Sequence, residues 1–474
     1  MEFHRQGTRR TTAVAILVLA WAGLLAAHHT GAAQTPSHPS QPLLESQFQA
    51  AMAAEDRGDI ERAKHILLGL RRDHPEIFAV NESLGMIYVA GQQYAEALPL
   101  LRAAASEQPS SAAAHRNLGA NYYQLHRNAD ALHEFMIAAR LDPKNAATQK
   151  GLGDLWMDAG KPENAAGAYE AAVRAEPGDP DLELELANAL VAVKDFARAE
   201  AILDKLPGTD ENADAEVLLG RIAESKGKFL DAEQHYNRAV QLEPSEENAW
   251  MLGVEFLRHW TFDAAIPVFQ VAVAKFAEST RMKLGLGAAY FGDGKYDRAI
   301  QVFAGLSAAD KNSALDAELL GMACSAVSDA PKQPCSALID YAQTHPRDAV
   351  ASTYAATMLL TEAAGEEQNR LGRKLLTQAL AADAKLPDAQ YLMGVQKQND
   401  GDWAGSISNL KAAIALEPEM AQAHYRLALA YARTKRKPEA KLEVALQQKY
   451  SQQKQSDLDR RLRQITTFVT DAHN

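Results

Sequence analysis

Cys324 and Cys335 are the only two cysteines in 474 residues, with ten residues between them. In an oxidising compartment such a pair can close a disulfide loop; otherwise the two are small, free hydrophobes. They are too few for a four-cysteine zinc site or a disulfide-dense scaffold. Gly151-Leu152-Gly153 and Gly285-Leu286-Gly287 lack the third glycine of a dinucleotide loop, which leaves close packing as the reason for them. The 14 histidines are scattered without metal-ligand spacing. HExxH, GxSxG, a phosphate loop and paired CxxC motifs do not occur. We therefore expect no enzyme, no cofactor and no metal site.

Charge narrows the partners. Hydrophobic residues make up 47% and charged residues 23%, a globular balance, and the net charge is −12. A net acidic chain argues against nucleic acid as the main partner, since such proteins usually carry a basic face. The charge is uneven: Glu176 to Glu247 holds 18 Asp/Glu against 7 Lys/Arg, whereas Arg433 to Arg463 holds 10 Lys/Arg against 4 Asp/Glu. The basic end suits contact with an anionic membrane surface or polysaccharide, set against the plainer reading of solvated outer helix faces.

The N-terminus has the layout of an export signal. Arg5, Arg9 and Arg10 precede the uncharged apolar run Ala13 to Ala27, which is shorter than the ~20 residues of a membrane span. Gly31 and Ala33 supply small residues for cleavage after Ala33, so residues 1–33 are expected to be a signal peptide and 34–43 a flexible linker. The expected location is periplasmic or secreted; an uncleaved signal would instead anchor the chain in the inner membrane, facing the periplasm.

The elements that must position any site come from a repeat. Pro75, Pro109, Pro143 and Pro177 recur every 34 residues. Ahead of them lie Leu84-Gly85, Tyr88, Ala97, Leu101 and Ala104; then Leu118-Gly119, Tyr122, Ala131, Phe135 and Ala138; then Leu152-Gly153, Trp156, Ala165, Tyr169 and Ala172. Small residues at positions 8, 20 and 27 let two helices approach, large ones at 7, 11 and 24 fill the gap, and proline at 32 ends the second helix. One such hairpin cannot bury its apolar face alone, but a stack of them can.

These residues resemble the tetratricopeptide repeat (TPR) family. The resemblance implies an all-α, right-handed superhelical solenoid of about 11–12 hairpins across 44–454. The units are 44–77, 78–111, 112–145, 146–179, 180–212, 213–245, 246–279, 280–313, the degenerate 314–347 and 353–386, then 387–420 and 421–454, with 455–474 as a capping helix and tail. Cys324 and Cys335 fall in the degenerate unit 314–347, where a bridge would pin an enlarged loop.

In this family, peptides and proteins usually lie in the concave groove lined by the first helices. Carried over by register, three clusters face it. Arg116, Tyr123, Gln124 and Lys150 form a polar, cationic stretch suited to a carboxylate or a peptide backbone. Trp250, Arg258, His259 and Phe291 are expected to form an aromatic anchor pocket, and Tyr391 with Tyr425 another. For each, the competing reading is an aromatic or polar side chain packed between repeats. The expected role is a non-catalytic scaffold or adaptor in the cell envelope, of the kind that serves pilus biogenesis or polysaccharide export. The alternative is a saccharide- or polymer-binding component of such a system.

Overall fold

The computed structural model describes residues 41–451 apart from 328–331 and 362–364, together with 463 and 467. The expected signal peptide, and all of the capping segment 455–474 except 463 and 467, lie outside the described residues. Among those described, 24 α-helices and no strand occur.

The chain divides into two units, 1–209 and 210–474. The first holds α1 (Gln41–Asp56), α2 (Ile60–Asp73), α3 (Phe78–Ala90), α4 (Tyr94–Glu107), α5 (Ala112–Gln124), α6 (Asn128–Leu141), α7 (Ala146–Asp158), α8 (Pro162–Ala175), α9 (Pro180–Ala192) and the short α10 (Phe196–Leu203). The second holds α11 (Ala213–Ser225), α12 (Phe229–Leu242), α13 (Glu246–Arg258), α14 (Phe262–Lys275), α15 (Thr280–Gly292), α16 (Tyr296–Ala309), α17 (Ala314–Ser325), α18 (Lys332–Thr344), α19 (Ala349–Leu359), α20 (Glu366–Ala382), α21 (Pro387–Asn399), α22 (Trp403–Leu416), α23 (Ala421–Arg433) and α24 (Lys437–Ser451). Consecutive helices pair as antiparallel hairpins, each stacked on the next within its unit.

Local chemistry sets the helix boundaries. Eight successive first helices, α5 to α19, start behind a polar cap: Ser111, Asn145, Asp179, Asn212, Ser245, Ser279, Ser313 and Asp348. Each side chain accepts from the backbone N–H three residues on, at 2.9–3.3 Å, and so satisfies an amide with no intrahelical partner. The turn inside the hairpin carries a residue of positive φ at the same register, including Gly58, Gln92, His126, Gly160, Lys194, Gly227 and Trp260.

Packing inside the hairpins follows the small–large pattern. A Cβ on Gly153 would lie 2.5 Å from the Tyr169 ring, and one on Gly220 would lie 2.6 Å from Tyr236. The GxG pairs are explained by this: Gly151 faces Phe135 of the preceding hairpin while Gly153 faces Tyr169 of its own. Tyr169, Tyr236, Phe269 and Phe303, all at position 24, are fully buried.

The degenerate region differs in detail from the sequence expectation. Asp348 caps α19 so that this hairpin starts at Ala349, four residues before the expected 353, and the extra residues fall between α19 and α20. The structure joins Cys324 at the end of α17 to Cys335 in α18 by a disulfide, with Cα atoms 6.2 Å apart and both side chains buried.

Candidate partner-binding site

In the first unit, α5, α7 and α9 bring together a polar ladder. The Lys150 ammonium on α7 lies 3.0 Å from both carboxylate oxygens of Asp154, one turn on, and 3.6 Å from Glu185 on α9. The Tyr169 hydroxyl, rising from α8, donates to Asp154 Oδ1 at 2.7 Å. Asn117 on α5 donates to Glu82 on α3 at 3.1 Å. Arg116 sits beside Glu82, and burial pulls its guanidinium below its usual value against the attraction of that carboxylate. Burial and then a hydrogen bond with Asp158 push the Tyr123 phenol up to about 12. Gln124, at the end of α5, is exposed.

The expected cationic stretch is thereby corrected. Burial weakens the Lys150 charge, but Asp154 and Glu185 outweigh it and raise the ammonium above its ordinary value. With Glu82, Asp154 and Glu185 interleaved, the face alternates in sign, so a carboxylate ligand would meet a Lys150 ammonium already engaged. The Lys150–Asp154 pair was available from its i, i+4 spacing. The Glu185 and Tyr169 contacts required the stacking geometry.

In the second unit, the expected aromatic pocket does not form as an open site. Trp250 and Phe291 are 4% and 1% exposed and belong to the core. The Trp250 ring meets Phe269 edge-on at 6.0 Å and carries the Arg281 guanidinium 5.6 Å above it. Phe291 meets Tyr296 edge-on at 5.2 Å. Large rings at these positions gain more from the seam between hairpins than from water, so the competing reading of packed aromatics wins here. Arg258 instead pairs with Glu224 at 2.8 Å, and His259 packs against Phe229 with ring centroids 3.9 Å apart.

Near the C-terminus, Tyr391 is partly buried against the Leu410 and Ala413 clusters, while Tyr425 is half exposed. Tyr425 lines an apolar groove on α23 and α24 with Leu429, Ala440 and Val444. The basic charge of this region is partly engaged: Arg433 lies over Trp403, and Arg436 pairs with Glu439. Among the described residues, no helix is long and apolar enough to cross a membrane.

No curated protein matches the sequence. Solved structures similar to it include PilF of Pseudomonas aeruginosa, 21% identical over 44% of this chain and 95% of that one, with a TM-score of 0.38. PilW, described as a widely conserved type IV pilus biogenesis factor, is 20% identical over 44% of this chain and 96% of its own, with a TM-score of 0.39. YrrB, described as a TPR protein with an unusual peptide-binding site, is 17% identical over 38% and 94%, with a TM-score of 0.36. Family models described as tetratricopeptide repeat match residues 48–113, 82–122, 116–180 and 396–453, residues 156–222 and 261–321, and residues 213–246. With its helix hairpins at the same period, the chain belongs to the tetratricopeptide repeat family.

Proposed function

We propose that the protein is a non-catalytic interaction scaffold of the cell envelope that holds a peptide or protein against its first helices. Family membership supports the interaction role. The observation that carries the site is the ladder Glu82–Asn117, Asp154–Lys150–Glu185, in which successive first helices present fixed donors and acceptors side by side. Such groups are pre-ordered by their own pairing, so an extended backbone laid across them meets partners whose side-chain entropy is already spent. The charged start followed by the apolar run 13–27 supports export, and the buried Cys324–Cys335 bridge suits an oxidising compartment.

In-cell photo-cross-linking tests this. A photoreactive residue at Gln124 is expected to trap a discrete protein, and one at the exposed Met136 on α6 to trap none. Lys150→Glu should weaken the Gln124 adduct. Equal adducts from both positions would remove the site. Co-purifying glycan with no protein adduct would replace the scaffold reading by the polymer-binding one.

A further inference from the structure

The seam between the hairpins α11/α12 and α13/α14 contains a buried carboxyl group that receives no hydrogen bond. Glu255 on α13 is 2% exposed, and neither of its oxygens receives a hydrogen bond. The Tyr236 hydroxyl on α12, also fully buried, makes no well-aligned hydrogen bond and is turned toward Glu224. A buried carboxylate without donors is costly, and a second carboxylate beside it makes ionisation costlier still.

The charged groups around Glu255 do not supply the missing donor. Glu224 on α11 already holds the Arg258 guanidinium at 2.8 Å, which leaves Arg258 3.9 Å from Glu255. His259 Nε2 lies 3.1 Å from Glu255 Oε1 without hydrogen-bond alignment, and burial draws this imidazole toward its neutral form. Glu233 on α12 adds negative charge, while Arg221 on α11 acts on Tyr236. Of the helices packed on the other side, α14 carries Asp263 and Lys275, and α15 carries Arg281, Lys283 and Tyr290. Lys275 is bound to the Pro244 carbonyl, Arg281 to Glu246 and Glu247, and the Tyr290 hydroxyl to Gln270.

We propose that Glu255 is a proton-binding site: it stays protonated at neutral pH, donates to Glu224, and makes this seam a pH-sensitive joint. One proton resolves three problems at once. It removes the second negative charge, gives Glu255 a donor, and leaves Glu224 as the common acceptor for Glu255 and Arg258. Burial first, then the Glu224 carboxylate, hold the Glu255 carboxyl well above the ordinary carboxylate range. The sign follows. A group that binds its proton more tightly when folded gives its full stabilisation below its unfolded value, and that is lost as pH rises through the folded value. Once the proton leaves, one guanidinium faces two carboxylates, the buried Glu255 and the part-exposed Glu224, and the seam loosens.

The test is urea unfolding of the full chain from about pH 5 to about pH 9, with infrared spectra of the carboxyl region. The wild-type folding constant should fall with rising pH by up to about tenfold per pH unit, the limit for one proton. Glu255→Gln, which mimics the protonated group, should lack that fall, and Glu224→Gln should reduce it. A protonated-carboxyl band present in the wild type at neutral pH should be missing from Glu255→Gln. Parallel stability curves for wild type and Glu255→Gln, or identical bands, would overturn the proposal. Should Glu255→Gln fail to fold, a wild-type carboxyl band that does not change with pH, or an unchanged fall in Glu224→Gln, would overturn it equally.

Discussion

The Tyr169 hydroxyl and the Asp154 carboxylate, 2.7 Å apart, tie the second helix of a hairpin to the polar face of its first. Asp154 is held at the same time by Lys150, so the tyrosine both fills the hairpin core and fixes a residue of the candidate site. Tyr169→Phe keeps the ring and loses only the bond. It should cost about 1 kcal/mol, because the carboxylate keeps its ammonium partner. The midpoint of urea unfolding with an unchanged m-value measures this; a loss no larger than experimental error would show that the bond contributes nothing net.

Two glycines of one hairpin should respond in opposite directions. Gly153→Ala drives a methyl into the Tyr169 ring and should destabilise by about 1–3 kcal/mol. Gly167→Ala, inside α8 with nothing within 4 Å of the new Cβ, should stabilise by about 0.5–1 kcal/mol. Thermal unfolding of the two variants side by side checks the contrast.

Several hairpin turns pay a backbone penalty that others avoid. Lys194 holds φ at 63° where Gly160 and Gly227 hold 65° and 68°. Lys194→Gly should therefore raise stability by about 0.5–1 kcal/mol, the left-handed cost of a side chain less the entropy of the added glycine. Gly227→Ala should lower it by a similar amount. Helicity by circular dichroism should not change in either.

Removing the Cys324–Cys335 bridge by a double Cys→Ala exchange should cost about 2–3 kcal/mol through the freed loop. Mass analysis after alkylation of the native protein should find no free thiol. Two alkylated thiols in that protein would place it in a reducing environment.

The fold was legible because one period repeats: position 8 glycine, position 24 ring and position 32 proline each state the same packing problem again. The site was legible only as a face. Register assigns Trp250 to a first helix, but whether its ring meets solvent depends on Phe269 and Arg281, which come from other helices. Lys150 reads as a free cation until α9 brings Glu185 beside it. In the sequence Glu255 is one acid on a first helix; its burial and lack of donors arise only when α11, α12 and α13 close around it.

The row of polar caps carries one more consequence. Asn145 precedes α7 in the chain, yet its side chain serves the helix ahead of it, through the Thr148 amide. The natural cassette of this protein is thus cut just before the cap and not after it. Copying or deleting a segment that runs from one cap to the residue before the next leaves each first helix with its own cap and every ring facing its glycine. A cut one residue later strips a donor's partner from the new end. Lengthening such an array by whole cassettes asks for no new local chemistry, and that makes growth by duplication an accessible route for a chain of this kind.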